Sequence, residues 1–278
     1  MAANRAPRMA RIKQVTRSMR PKILFIHGMF LTEKSWEGWE RFFDALGYEC
    51  EAPAWPMHDA EPAELRKNPP AGLGKLSLGD LHSYYAGIVI QESEPPVVIG
   101  HSLGGLLVQR LAADGMIRAG VCIATVAPNG MLAFDWGFMR NSASITNPFA
   151  GDDPYEMTPE IFRKNFGNTM TEEESNAAYE KYAVHESRQV LRDILGDEGR
   201  IDLKKHHVPL LFIGAAEDEI IPNSLVRRNA HAYEDPRSHH EFIFFSGRGH
   251  FICGQNGWEE VAQGAANWLD AHLHTTQA

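Results

Sequence analysis

Gly100-His101-Ser102-Leu103-Gly104 restricts the possible fold of this chain more than any other stretch. It lies between an apolar run, Val97 to Ile99, and a segment whose apolar residues recur at helical spacing up to Gly115. A serine between glycines at such a junction has a specific use. Strand and helix cross so closely there that larger flanking side chains collide, and the sharp turn lifts the hydroxyl above the sheet. The helix that starts at the turn offers free N–H groups and a field that favours negative charge. The G-x-S-x-G pattern in this context predicts a buried strand, a strained turn and a nucleophilic serine, Ser102.

The rest of the chain supplies the alternation such a sheet needs. KILFIHG (22–28), YECEAPAW (48–55), PPVVIG (95–100), AGVCIATVAP (119–128), VPLLFIG (208–214) and HEFIFFSG (240–247) read as short buried strands. Helices are expected near 33–46, where Trp36, Trp39, Phe42, Phe43 and Leu46 share a face, and near 78–91, 105–115, 223–233 and 258–272. Residues 56–75, with several prolines and glycines, read as an excursion loop. From 129 to 207 the alternation stops, leaving helical stretches such as TPEIFRKNF and TEEESNAAYEKYAVHESRQVLRDIL. The expectation is an α/β fold, a mostly parallel sheet of about six strands with helices on both faces. Its core is 22–128 with 208–278, its helical cap insertion is 129–207, and 1–21 is a basic N-terminal tail. An insertion there sits over the carboxyl ends of the strands, where open α/β sheets hold ligands.

A serine hydroxyl is a weak nucleophile and needs an adjacent base, itself oriented by a third group. Asp218 follows the LLFIG strand, and His250 sits in the glycine-rich loop GRGHF after the last strand. Glu217 and Glu219 are alternative acids, as is Asp135 early in the insertion. With serine, acid and histidine in this order, the chain from about Lys22 to His272 resembles the α/β-hydrolase family. The resemblance implies that Ser102 is the nucleophile, His250 the general acid–base and Asp218 the group that orients the imidazole. It implies an oxyanion hole from the backbone N–H groups of Leu103 and Met29, the latter following His27-Gly28, a pair similar to the family's HG motif. It places the insertion where that family carries its cap. The family often begins with further strands, and only about 20 residues precede the first strand here.

The resemblance implies a serine hydrolase of the carboxylesterase or lactonase kind, acting through an acyl-enzyme. Similar triads also serve C–C bond hydrolysis, perhydrolysis and slow-turnover ligand receptors, so those readings stay open. The early insertion carries Met131, Phe134, Trp136, Phe138, Met139 and Phe149, which either bury within the insertion or line an apolar pocket. Phe30, Trp36, Trp55, Phe134, Trp136 and Phe138 are the candidate substrate contacts. No arginine clamp or glycine-rich phosphate loop stands out. A neutral, largely apolar ester or lactone of small to medium size is therefore expected, with no cofactor.

The remaining features narrow the surroundings. A net charge of -9 argues against nucleic acid as a partner. Three cysteines, Cys50, Cys122 and Cys253, match no zinc or redox spacing and read as free buried thiols. His206, His207, His239 and His240 read as surface residues flanking strands, without a carboxylate or cysteine pattern for a metal. His101 reads as a structural residue of the turn, its ring directed away from Ser102. No apolar run is long enough to span a membrane. A cytoplasmic location is expected, with 1–21 either a loosely attached tail or an Arg-rich transit peptide.

Overall fold

Alternate residues of a strand face opposite sides of its sheet, and that period divides the interior of this protein into two cores. A computed structural model describes residues 20–132 and 151–273. Its six strands are β1 (Ile23–Ile26), β2 (Cys50–Glu51), β3 (Val97–His101), β4 (Ala119–Ile123), β5 (Leu210–Ala215) and β6 (His240–Phe245). They form one sheet in the order β2-β1-β3-β4-β5-β6, and every neighbouring pair is parallel. Leu24, Ile26, Val98, Cys122, Leu210 and Phe212 join one core, while Ile23, Phe25, Val97, Ile99, Val121, Leu211 and Ile213 join the other. Side chains buried on both faces explain why these strands are continuous apolar runs.

Helices α1 (Glu37–Ala45), α2 (Pro62–Lys67), α3 (Leu78–Gln91) and α4 (Leu103–Ala113) come from the first half of the chain. Trp39 and Phe43 of α1 pack with Val261, Ala265 and Leu269 of the helix Trp258–Leu273 on one face. Leu81 and Tyr85 of α3, Leu107 and Leu111 of α4, and Leu225 and Val226 of the helix Asn223–Ala230 cover the other. Helix α3 starts at a capping box. Ser77 Oγ accepts the Asp80 N–H at 3.0 Å, and Asp80 Oδ2 accepts the Ser77 N–H at 3.0 Å.

The second strand is shorter than the sequence suggests. Only Cys50 and Glu51 pair, and the chain then leaves the sheet edge through a loop containing Pro53 and Pro56. The excursion that follows contains α2 and a 3-10 turn, Leu73–Lys75. Between β4 and β5 the described residues form helices Asn129–Leu132, Pro159–Asn165, Glu172–Tyr182 and Arg188–Ile194, with a single bridge between Tyr155 and Glu186. The long helical stretch expected over 171–195 is broken at Ala183–Ser187, where the backbone serves the loop after β1 instead.

The chain runs from β1 outward to β2 on one side and back to β3 on the other. Loops leaving β1 and β3 therefore diverge at the carboxyl end of the sheet and open a crevice there. Ser102 closes β3, and Gly28 to Phe30 follow β1.

Candidate active site

Ser102 sits between β3 and α4 with φ 55° and ψ -116°, a conformation L residues rarely adopt. Backbone bonds hold it there. Its N–H donates to the Ile123 carbonyl at 2.9 Å, and its carbonyl accepts from Gly105 and Val126, each at 3.1 Å. The flanking glycines are forced by space. A Cβ on Gly100 would lie 2.3 Å from the Gly104 carbonyl oxygen, and one on Gly104 would lie 2.1 Å from that of Ile26. Leu103 begins α4, so its N–H belongs to the first turn, which has no acceptor within the helix.

Three strand ends converge on this serine. The Ser102 Oγ lies 3.0 Å from His250 Nε2, and His250 Nδ1 lies 2.7 Å from Asp218 Oδ2. All three residues are buried. The other carboxylate oxygen, Oδ1, accepts the Ile220 and Ile221 N–H groups, each at 2.8 Å, so the Asp218 side chain is held from both ends. A carboxylate accepts only, so His250 carries its hydrogen on Nδ1 and presents a lone pair at Nε2 to the serine hydroxyl. Among the acids considered from sequence, Asp218 is the one that meets His250. Glu217 instead accepts the Arg248 N–H at 3.0 Å and steadies the histidine loop. Asp135 lies outside the described residues.

His101 does more than the sequence reading allowed. Its Nε2 donates to the His250 carbonyl at 2.8 Å, and the two rings are 4.8 Å apart. Adjacency in the chain turns the ring from Ser102 but toward the partner histidine. Burial, reinforced by His250, holds the His101 imidazole well below its ordinary pKa, so it stays neutral.

The loop after β1 lies against the serine: a Cβ on Gly28 would be 2.8 Å from Ser102 Cβ. His27 fixes this loop. The Trp55 N–H donates to His27 Nε2 at 3.3 Å, so Nδ1 carries the hydrogen and donates to the Gly28 carbonyl at 3.0 Å. Burial, then the charge of His58, pushes the His27 pKa well down. Met29 is buried, and Phe30 follows it with φ 67°, a left-handed conformation costly for a side chain of this size.

Both backbone groups of Phe30 are taken by the insertion. Its N–H points to Glu186 Oε2 at 3.4 Å, and its carbonyl accepts the Val184 N–H at 3.0 Å. Glu186 Oε1 accepts the Ser187 N–H at 2.7 Å. His58 Nε2 lies 3.3 Å from Glu186 Oε2, a charge contact with both side chains buried. Burial opposes the His58 charge, but the Glu186 carboxylate overcomes it and raises the pKa. Sequence reasoning named neither residue.

Of the substrate contacts expected from sequence, Phe30 lies at the site. Its ring meets Tyr155 at 5.7 Å and Phe166 at 6.4 Å, and Phe166 meets His250 edge-on at 5.0 Å. Trp55 stacks on His27 at 4.5 Å and so stands behind the loop. Trp36 requires a correction: it packs on Phe25 at 5.1 Å and Trp39 at 5.3 Å, in the core on the other face of the sheet. Helical spacing of aromatics signals burial without saying which face receives them. Phe134, Trp136 and Phe138 lie outside the described residues. Phe166 and Tyr155 were missed; Phe166 ends the apolar side of TPEIFRKNF, a pattern that reads as helix and carries no sign of the site. His207 also differs from expectation, being buried against Tyr233 at 4.4 Å.

Sheet order, strained serine and converging acid and histidine together define one class of protein. The model of the alpha/beta hydrolase family matches residues 23–264, and the chain belongs to that family. No curated protein sequence matches it significantly. Solved structures show the same fold at low identity. A monoacylglycerol lipase of Paleococcus ferrophilus is 19% identical with TM-score 0.64, covering 90% of this chain and 94% of that one. A pyrethroid hydrolase of Sphingobium faniae is 18% identical with TM-score 0.62, covering 91% and 99%. Tomato methylketone synthase I, complexed with 2-tridecanone, is 14% identical with TM-score 0.67, covering 91% and 99%. Among the described residues no helix is long and apolar enough to cross a membrane.

Proposed function

We propose that this protein is a serine hydrolase that cleaves a small to medium, largely apolar carboxylic ester or lactone. The observation that carries the reading is the unbroken chain from Asp218 through His250 to Ser102, with contacts of 2.7 and 3.0 Å. Ser102 Oγ attacks the acyl carbon while its proton passes to His250 Nε2. The negative oxygen that forms is held by the N–H of Leu103, at the start of α4, and the N–H of Met29. Collapse breaks the bond to the leaving alkoxide, which takes the proton from Nε2. Water, deprotonated by the same nitrogen, then releases the acid and restores Ser102. Asp218 keeps the imidazole in the useful tautomer and stabilises its charged form.

A preference for apolar acyl or ring groups is supported by Phe166, whose ring meets His250, and by Phe30, which packs on Phe166 and Tyr155. The lipase and the pyrethroid hydrolase among the structural neighbours bear names consistent with ester cleavage. A graded panel of p-nitrophenyl esters and lactones tests the reading. Short apolar esters turn over in the wild type, and Ser102→Ala lowers turnover by at least ~1000-fold without loss of the fold. Wild-type turnover in that variant would end the assignment.

A further inference from the structure

Away from the serine, one side-chain cluster is arranged to receive a cation. His239 immediately precedes β6 and Glu241 lies within it, two positions on and so on the same face of this edge strand. His272, near the end of the helix Trp258–Leu273, packs over both. His239 Nε2 lies 2.7 Å from Glu241 Oε1, and His272 Nε2 lies 3.3 Å from the same oxygen. The three donor atoms all fall within 4.8 Å of one another.

The far side of the His272 ring is already fixed. Its Nδ1 lies 2.8 Å from the Trp268 carbonyl, which accepts only, so Nδ1 carries the hydrogen. The ring also stacks on Trp268 at 4.6 Å. His272 Nε2, on the opposite side of the ring, faces Glu241 Oε1. Donation of the remote ring N–H to a backbone carbonyl is also how metal-bound histidines are held in orientation.

Two imidazoles and one carboxylate suit a borderline divalent ion rather than magnesium or calcium. Tetrahedral zinc, with bonds near 2.0–2.1 Å, spaces its ligand atoms by about 3.3 Å. The Glu241–His272 separation of 3.3 Å already meets this. The His239–Glu241 contact must open by about 0.6 Å, and the His239 ring, stacked on His272 at 4.4 Å, must turn so that both ring planes meet at the ion; the His239 side chain, 48% exposed, has room to do so. The fourth position is left to water.

We propose that His239, Glu241 and His272 form a surface site for a zinc-class divalent ion that fastens the last helix to the edge strand. The sequence shows His239 without a carboxylate partner because Glu241 looks like one alternating strand residue among others and His272 is remote. Binding to the folded state alone raises stability by mass action. The site is separate from Ser102, so it stands or falls without the hydrolase reading.

The test is isothermal titration calorimetry of zinc chloride into the untagged full chain, for wild type, Glu241→Gln and His272→Asn. Equal melting temperatures in EDTA show that each variant is folded, and His239→Asn replaces any that is not. The wild type is expected to bind one equivalent saturably and to melt at higher temperature with zinc. Each substitution is expected to weaken binding by at least ~10-fold. Absence of saturable binding in the wild type, or wild-type affinity in any folded variant, overturns the proposal.

Discussion

Glu186 holds the backbone of Phe30 from the far side of the crevice: its Oε2 stands 3.4 Å from the Phe30 N–H, while Val184 donates to the Phe30 carbonyl at 3.0 Å. Two bonds from one short segment keep a bulky residue at φ 67°, immediately after Met29. Glu186→Ala removes one of them and strands His58 in the interior. Breaking a buried charge contact of this kind is expected to cost about 3 kcal/mol in urea denaturation. Turnover is expected to fall by up to ~100-fold, since misplacement of about 1 Å near the reacting atoms suffices for that. Unchanged stability and unchanged turnover would show that the insertion does not brace the loop.

His58 offers a direct check on the same contact. The Glu186 carboxylate raises its pKa above the ordinary 6.5 despite burial. A raised value means that the folded state binds the proton more tightly than the unfolded state. The stability from this pair is therefore complete below pH 6.5 and fades as the pH climbs through the folded value. Histidine NMR titration is expected to place His58 above the ordinary value in the wild type and to drop it in Glu186→Gln. No difference between the two proteins would contradict the contact.

Two glycines in helices separate space from propensity. Gly104 faces the Ile26 carbonyl so closely that a Cβ would lie 2.1 Å from its oxygen, whereas Gly87 in α3 has nothing within 4 Å. Gly87→Ala is expected to stabilise the protein by up to ~1 kcal/mol, the helix propensity difference. Gly104→Ala is expected to destabilise it by ~1–3 kcal/mol or more, because the neighbour is backbone and has nowhere to go. Thermal unfolding of both variants decides, and similar shifts would mean that the turn is less crowded than described.

The choice of acid is equally open to measurement. Asp218 meets His250 Nδ1 at 2.7 Å, and Glu217 accepts from Arg248 instead. Asp218→Asn is expected to lower turnover by about 10,000-fold, through the wrong imidazole tautomer. Glu217→Gln should cost under ~10-fold, since it disturbs only the support of the loop. Equal losses would return Glu217 to consideration.

These particulars show what the sequence carries and what it omits. Strands β1, β3, β4 and β5 announce themselves as apolar runs because both faces are buried, His101 at the end of β3 being the one polar residue among them. The serine turn is readable because steric crowding dictates glycine at fixed offsets on both sides. The acid and histidine are readable because they must follow particular strands. The pairing of Glu186 with His58 and Phe30 leaves no such trace. A charge contact between distant loops imposes no periodicity and no spacing. Trp36 shows the complementary failure, since apolar spacing on a helix says that a residue is buried but is silent about which core receives it. The early stop of β2 coincides with Pro53 and Pro56, which have no N–H to give to a ladder.

The most direct measurement is reaction of the full-length protein with a fluorophosphonate, followed by peptide mass mapping. A single adduct on Ser102 is expected, with labelling lost in Ser102→Ala and strongly slowed in His250→Ala. An adduct on a different serine, or undiminished ester hydrolysis by a protein that takes up no label at Ser102, would contradict the reading of this chain as a serine hydrolase.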